Sequence, residues 1–81
     1  TNNTKYDRSM IFEKVYSTPH YLGIEVAPEM IGKMFKIYDI HGRLIVHREI
    51  RESTIAEEVN HFTKGVYILS VENYTYKIML N

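Results

Sequence analysis

Cysteine and tryptophan are absent from this 81-residue chain, and proline and glycine are scarce, with two and four residues. Without cysteine, the chain can form neither a disulfide framework nor a thiolate metal site. No apolar run approaches the ~20 residues that a membrane-spanning helix needs, so direct membrane insertion is not expected. These absences predict a small domain that is stabilised by its apolar core and its hydrogen bonds.

An excess of charge of one sign is also missing, because ten basic residues balance ten acidic ones. The two signs are interleaved, as in Arg-Glu-Ile-Arg-Glu at 48–52. A nucleic-acid partner requires a basic stripe or patch, so no such partner is expected. The length corresponds to one domain with a modest core, which leaves little room for a deep catalytic cleft.

Polarity divides the chain into two parts. Residues 1–9 are polar and aperiodic, which predicts a linker or N-terminal arm. The chain starts at Thr1 rather than at a methionine, and we expect it to be a piece of a longer protein. Short β-branched and aromatic runs then alternate with turn residues, which predicts a single domain over residues 10–81.

Seven runs have the composition of strands, at 10–17, 21–27, 34–40, 43–50, 54–59, 66–72 and 75–80. Several short strands with turn signals between them predict an all-β fold, a small Ig-like antiparallel β-sandwich. One stretch leaves an alternative open. Because Ile55, Val59 and Phe62 also have helical spacing, 54–62 is either a strand followed by a turn or a short helical turn.

Alternation within the runs assigns side chains to faces. In the fourth run we expect one face to hold Leu44, Val46 and Ile50. In the last run the residues expected to share one face are Tyr76, Ile78 and Leu80, with Lys77 and Met79 on the other. The run 66–71 is apolar on both faces, which predicts a central, doubly covered strand. Strand residues that we expect to be half-buried are Tyr38, Tyr67 and Tyr76.

Gly42 lies between two predicted strands, where it could belong either to a phosphate-binding loop or to a hairpin. A phosphate-binding loop has several glycines that lead into a helix, whereas this single glycine leads into a strand-like run. A hairpin uses glycine because it has no Cβ to clash in the left-handed conformation. We therefore predict that Gly42 is architectural, and we expect a positive φ at Gly65 before the central strand.

No catalytic residue, metal ligand or cofactor site is predicted. The four histidines lack the close pairs typical of zinc sites, and His41 and His47 are expected to face solvent. Adjacent Glu57 and Glu58 would point to opposite faces of a strand, so they cannot readily share a substrate and are interpreted as solvated charges. No serine lies in a nucleophile-elbow sequence.

Three segments, 35–45, 62–73 and 75–81, carry a resemblance to a known family. In the first, Ile37-Tyr38-Asp39 is followed by Gly42, Arg43 and an apolar strand. In the second, Phe62 precedes Gly65 and Tyr67; the third contains Tyr76-Lys77-Ile78. In order and spacing, residues 20–81 resemble the C-terminal sorting domain of the type IX secretion system of Bacteroidetes (Por secretion tail, type A). The chain departs from that pattern by keeping only Pro19 of an early Pro-Asn-Pro and by ending in Asn81.

The resemblance implies a targeting signal that is exported to the periplasm and directs a parent protein through the outer membrane. It implies three partners: the type IX translocon, an outer-membrane β-barrel shuttle protein and a sortase-like protease. In this family the protease usually removes the domain, although some parent proteins keep it uncleaved. The motif residues expected to be architectural are Tyr38, Asp39, Gly42, Arg43, Gly65 and Tyr67. An exposed terminal strand can be read by strand addition, so the expected recognition segment is Lys77, Ile78, Met79, Leu80 and Asn81.

A second class of function stays open at this point. An Ig-like or fibronectin-like accessory domain of a secreted enzyme or adhesin would have the same strand pattern and the same lack of catalytic motifs.

Overall fold

The computed structural model describes residues 11–81, so the predicted arm at 1–9 lies outside the described residues. The seven predicted runs form seven strands, with bounds that differ from the predicted ones by no more than two residues. They are β1 (Phe12–Ser17), β2 (Tyr21–Val26), β3 (Met34–Asp39), β4 (Leu44–Glu49), β5 (Thr54–Glu58), β6 (Gly65–Val71) and β7 (Tyr74–Leu80). A short 3₁₀ turn, Pro28–Met30, precedes β3.

The strands form two antiparallel sheets, in the orders β1-β2-β5 and β4-β3-β6-β7. The chain leaves one sheet for the other after β2, after β4 and after β5, as in Ig-like sandwiches. The predicted all-β sandwich is therefore confirmed. Within residues 11–81, β1, β5, β4 and β7 are the edge strands.

The core lies between the two inner faces, where the apolar side chains of both sheets meet. Its largest fully buried members are Phe35, Leu22, Ile24, Ile37, Ile50, Leu69, Val26 and Val71. Ile50 lies in the connection from β4 to β5, and its N–H donates to the Lys33 carbonyl oxygen at 2.9 Å. Gly32 N–H donates to the Ile50 carbonyl oxygen at 2.7 Å, so the two connections at this end of the sandwich are tied together.

Each lateral edge of the sandwich is closed by a different interaction. On one side the Phe12 and Tyr76 rings meet edge to face, with centroids 5.6 Å apart. On the other side Arg48 of β4 reaches across to Glu57 of β5, with Nη2 3.0 Å from Oε2. Glu57 pairs with buried Leu22 and points inward, so the expectation that it is a solvated charge is wrong.

A β-bulge in β4 overturns the predicted face of Leu44. Ile37 pairs with Val46 but Tyr38 pairs with Leu44, so Ile45 is an extra residue in the strand. A bulge of this kind places two consecutive side chains on the same face. Val46 and Ile50 are buried as predicted, whereas Leu44 and Ile45 are exposed on the outer face.

The remaining fold predictions have mixed outcomes. β6 is central in its sheet, but only alternate residues (Tyr67, Leu69 and Val71) are buried, so it is covered on one face rather than two. The ambiguous segment 54–62 is a strand followed by a turn, closed by a hydrogen bond from Phe62 N–H to the Val59 carbonyl oxygen at 3.0 Å. That single turn accounts for the helical spacing of Val59 and Phe62.

Alternation along β7 predicts unequal losses of stability from the same substitution at neighbouring positions. Ile78 packs against the core, whereas Met79 is 56% exposed. Ile78→Asp should lower the free energy of unfolding by about 2–4 kcal/mol, because it places a carboxylate among apolar side chains. Met79→Asp should cost less than about 1 kcal/mol, the span of strand propensity. Urea denaturation of both variants checks this, and equal losses would contradict the assignment of faces.

The geometry of the Arg48–Glu57 pair predicts that removing the cation alone lowers the free energy of unfolding more than removing both charges. Arg48→Met should cost about 1–3 kcal/mol, because it leaves a buried carboxylate without its donor. Adding Glu57→Leu to Arg48→Met should recover the lost stability, since an apolar side chain suits the inward position. Urea denaturation of both variants provides the measurement. Arg51→Met, which removes an exposed cation outside both ion pairs of residues 11–81, is the matched control and should change stability by less than about 0.5 kcal/mol.

Candidate recognition site

Three connections and the last residue of the chain meet at one end of the sandwich, which we call the C-terminal pole. It comprises residues 18–20, 40–43, 59–64 and Asn81, together with the strand ends beside them. Antiparallel pairing brings these strand ends to the same side of each sheet. A groove of about 340 Å³ crosses between the two sheets there, and its lining includes Pro19, Val59, Leu80 and Asn81.

The turn from β3 to β4 is organised by the Asp39 carboxylate. One oxygen, Oδ1, accepts hydrogen bonds from the N–H groups of His41 and Arg43, both at 2.9 Å. The other, Oδ2, accepts from Arg43 Nε at 2.7 Å. The N–H of Arg43 is the main cause that holds the pKa of Asp39 below its ordinary value, while burial opposes that shift. A charged Asp39 therefore holds the turn closed.

Both predicted glycine conformations are present at this pole. Gly42 has a φ of +81°, and its N–H donates to the Asp39 carbonyl oxygen at 3.0 Å. Gly65 has a φ of +144° where β6 begins. No atom lies within 4 Å of where a Cβ would stand at either glycine. The backbone conformation rather than lack of space therefore explains these two glycines.

Tyr67 fixes the connection between β5 and β6. Its hydroxyl donates to the Thr63 carbonyl oxygen at 2.6 Å and lies 3.1 Å from the Thr63 hydroxyl. Its ring packs against Phe62, with centroids 5.3 Å apart. A tyrosine at the start of a strand that bonds back to the preceding corner is also a feature of Ig-like sandwiches. The ring and the hydroxyl of Tyr67 thus have separate roles at the same corner.

A polar chain that the sequence reasoning missed joins two connections at the pole. His20 Nδ1 is 2.6 Å from Asn60 Oδ1, and Asn60 Nδ2 donates to Glu58 Oε2 at 2.9 Å. The Val59 N–H also donates to the His20 carbonyl oxygen at 2.9 Å. No local pattern signals this contact, because His20 and Asn60 are 40 residues apart in the sequence.

The predicted recognition segment forms the second half of β7 and the residue after it. Ile78 packs against the core and Leu80 is buried in it, whereas Lys77, Met79 and Asn81 are exposed. The side chains that a partner could contact directly are therefore the exposed ones. Within residues 11–81 no strand pairs with the outer edge of β7, so its backbone is open to strand addition.

The six motif residues lie at this pole or within the strands that enter it. Tyr38 is half-buried on the outer face of β3, as expected. Asp39, Gly42 and Arg43 form the first turn, while Gly65 and Tyr67 start β6. A groove of about 420 Å³ runs between these two places and is lined by Asp39, Arg43, Gly65 and Tyr67 among others. The structure thus brings together motif residues that are far apart in the sequence.

Residues 11–81 contain neither a group of metal-ligating side chains nor a long apolar helix. Across residues 11–81 no three histidine, aspartate or glutamate side chains are grouped closely enough to hold a metal ion. No helix in the same range is long and apolar enough to cross a bilayer.

Comparison with known proteins identifies one family. The family model described as the secretion system C-terminal sorting domain matches residues 14–80, which is most of the chain. Neither the curated proteins nor the solved structures give a match. The family match favours a non-catalytic targeting role over the accessory domain of a secreted enzyme or adhesin.

The hydrogen bonds to the Asp39 carboxylate predict that the difference in stability between the unmodified chain and Asp39→Asn depends on pH. Because folding lowers the pKa of Asp39 from 3.8, its charge stabilises the fold above about pH 4, and this contribution is lost as pH falls through the lower folded-state pKa. Asp39→Asn should therefore be less stable than the unmodified chain at pH 7, and the gap should narrow at low pH. Chemical denaturation of both proteins, at pH 7 and at the lowest pH where the chain folds, measures the difference in their free energies of unfolding.

Arg43→Met serves as the comparison for that experiment. It removes one of the three hydrogen bonds to Asp39 and leaves the two backbone donors. Its effect at pH 7 should be smaller than that of Asp39→Asn. A loss of stability in Asp39→Asn that is the same at both pH values would contradict stabilisation of the turn by the charged carboxylate.

Proposed function

Because the chain belongs to the family of type IX secretion C-terminal sorting domains, it is a sorting signal of a secreted or cell-surface parent protein, and we propose that the machinery recognises it as a folded domain. The recognition segment in this proposal is Lys77–Asn81 at the end of β7, read together with the C-terminal pole. The machinery would then sense a shape rather than a short unfolded peptide.

One observation carries this proposal: β7 is an edge strand that ends at the same pole where the motif residues meet. Its inward side chains hold it to the core, so the strand presents its open edge only when the sandwich is folded. A partner can add a strand to such an edge through backbone hydrogen bonds, and the outward side chains supply specificity.

The partners in this proposal follow from the family. A β-barrel shuttle protein of the outer membrane binds the folded domain in the periplasm and presents the parent protein to the translocon. A sortase-like protease then cuts within residues 1–9 and joins the released cargo to an anionic lipopolysaccharide. No step requires chemistry from the domain itself.

A secretion assay tests the proposal in a bacterium that has a type IX system. A folded reporter with an inner-membrane export signal is fused ahead of residues 1–81, and its amount is measured in the periplasm, on the surface and in the medium. Deleting 77–81 should abolish secretion and leave the reporter in the periplasm. Mass spectrometry of the secreted reporter should place its new end within residues 1–9.

The control for this assay is Arg48→Met, which weakens the fold at the opposite edge and retains β7. It should still be secreted. Surface delivery of the reporter that lacks 77–81 would refute recognition through β7. Secreted reporter that retains the whole domain would refute removal by a protease.

A further inference from the structure

An apolar patch covers the half of the four-stranded sheet's outer face that adjoins the C-terminal pole. Register places Tyr38 beside both Leu44 and Ile68, and it places Val66 beside Met79. Because of the bulge in β4, Leu44 and Ile45 follow each other on this same face. The six residues that we call the outer patch are Tyr38, Leu44, Ile45, Val66, Ile68 and Met79.

The outer patch is not explained by folding. Leu44, Ile45 and Met79 are 49%, 42% and 56% exposed, although they are large apolar side chains. The solvent face of an antiparallel sheet is ordinarily polar, and contiguous exposed apolar surface marks interaction sites. Ile40, which is 71% exposed, borders the groove of the pole together with Ile45 and Val66. The patch is therefore continuous with the pole that the motif residues form.

The outer face of the other sheet gives a comparison within the same domain. There the Tyr16 ring lies directly over Gly23, so that a Cβ on Gly23 would stand 2.2 Å from it. Lys14 Nζ lies 5.7 Å from the centroid of the same ring. The other outward positions include Glu25, Thr54 and Glu58, with Tyr21, which is 51% exposed, beside Glu58. This face is mostly polar and covers its own backbone, whereas the outer patch has no such cover within residues 11–81.

The charges around the outer patch indicate what would cover it. Lys36 precedes Tyr38 on the same face of β3, and Lys77 lies beside Ile68. Neither lysine is in the two ion pairs of residues 11–81, which belong to Arg43 and Arg48. Glu49 pairs with Met34 at the far end of this face, so the patch itself holds no carboxylate. A matching surface would be apolar and would bring carboxylates to two lysines.

Other occupants fit these charges less well. A second copy packed through the same patch would offer no carboxylate to either lysine. An anionic lipid surface favours a concentrated positive field, but this chain has a net charge of zero and interleaved signs. A protein surface with apolar side chains and flanking Asp or Glu meets both requirements.

We propose that the outer patch is a docking surface for a protein of the secretion machinery, one that contacts it with apolar side chains flanked by Asp or Glu. The inference rests on the proposed function and adds the chemistry of the partner. Lys77 and Met79 belong to the recognition segment as well as to this surface, so strand addition along β7 and docking on the outer face form one continuous contact.

Photo-crosslinking in secreting cells tests this contact with the full chain fused to the reporter. The photoreactive residue p-benzoylphenylalanine replaces Met79 or Leu44 in the patch, or Thr54 on the other sheet as the control. Patch positions should crosslink to a type IX protein, and the crosslinked segment should contain apolar residues beside Asp or Glu. Thr54 should give no such product. Lys77→Glu should lower the yield about tenfold, as expected for a repelled carboxylate, and Lys77→Arg should retain it.

Other outcomes of this experiment overturn the inference. A crosslink to a second copy, to lipid or within the same chain does so. A crosslink yield at Thr54 equal to the yield at the patch positions does so as well. An unchanged yield with Lys77→Glu also overturns it, because the flanking carboxylates would then be absent.

Secretion of the reporter separates this inference from the proposed function. The variant with Ile40→Thr, Leu44→Thr and Met79→Thr should keep the Tm of the unmodified domain, because all three side chains are exposed. Normal secretion of this variant refutes the docking surface alone. Failure of the unmodified chain to direct secretion refutes the sorting function. Should the triple variant lose stability, Lys77→Glu gives the same comparison at a single exposed position.

Discussion

The burial of one face of each sheet is the constraint on which the rest of this structure depends. Within residues 11–81 each sheet packs on one other sheet, so the side chains of its inner face meet in the core and those of its outer face point to solvent. Apolar residues on the inner faces are explained by stability. Those on the outer faces require a different explanation. The bulge in β4 matters because it moves Leu44 from the inner face to the outer face, next to Ile45.

Predictions that rest on the φ angle of a turn residue or on the alternation of β7 agree with the structure. The turn at Gly42 and the start of β6 at Gly65 depend on the φ angle of one residue, which the sequence indicates directly. Alternation along β7 is a property of neighbouring residues in one strand, and it correctly separates Ile78 from Met79. The number of strands and the sandwich class follow from such local signals because each short run is bounded by a turn.

Features that depend on the packing of one sheet against the other are not predictable in the same way. Glu57 occupies an inward position because Arg48, on a strand of the opposite sheet, can reach it. The link from His20 to Asn60 likewise requires knowledge of which connections meet. The bulge does have a signal that could have been used, since three consecutive apolar residues at 44–46 break the alternation of a half-buried edge strand.

The roles of the motif residues suggest how a family signal and a specific contact can share one small domain. Asp39 is bonded to its own turn, Tyr67 to the Thr63 carbonyl oxygen, and Gly42 and Gly65 serve the backbone. Residues engaged in this way fix the shape of the pole but have little bonding capacity left for a partner. In the proposed function, contact then falls to the open edge of β7 and to outward side chains. Those positions can vary in chemistry without disturbing the turns, because alternation keeps them out of the core.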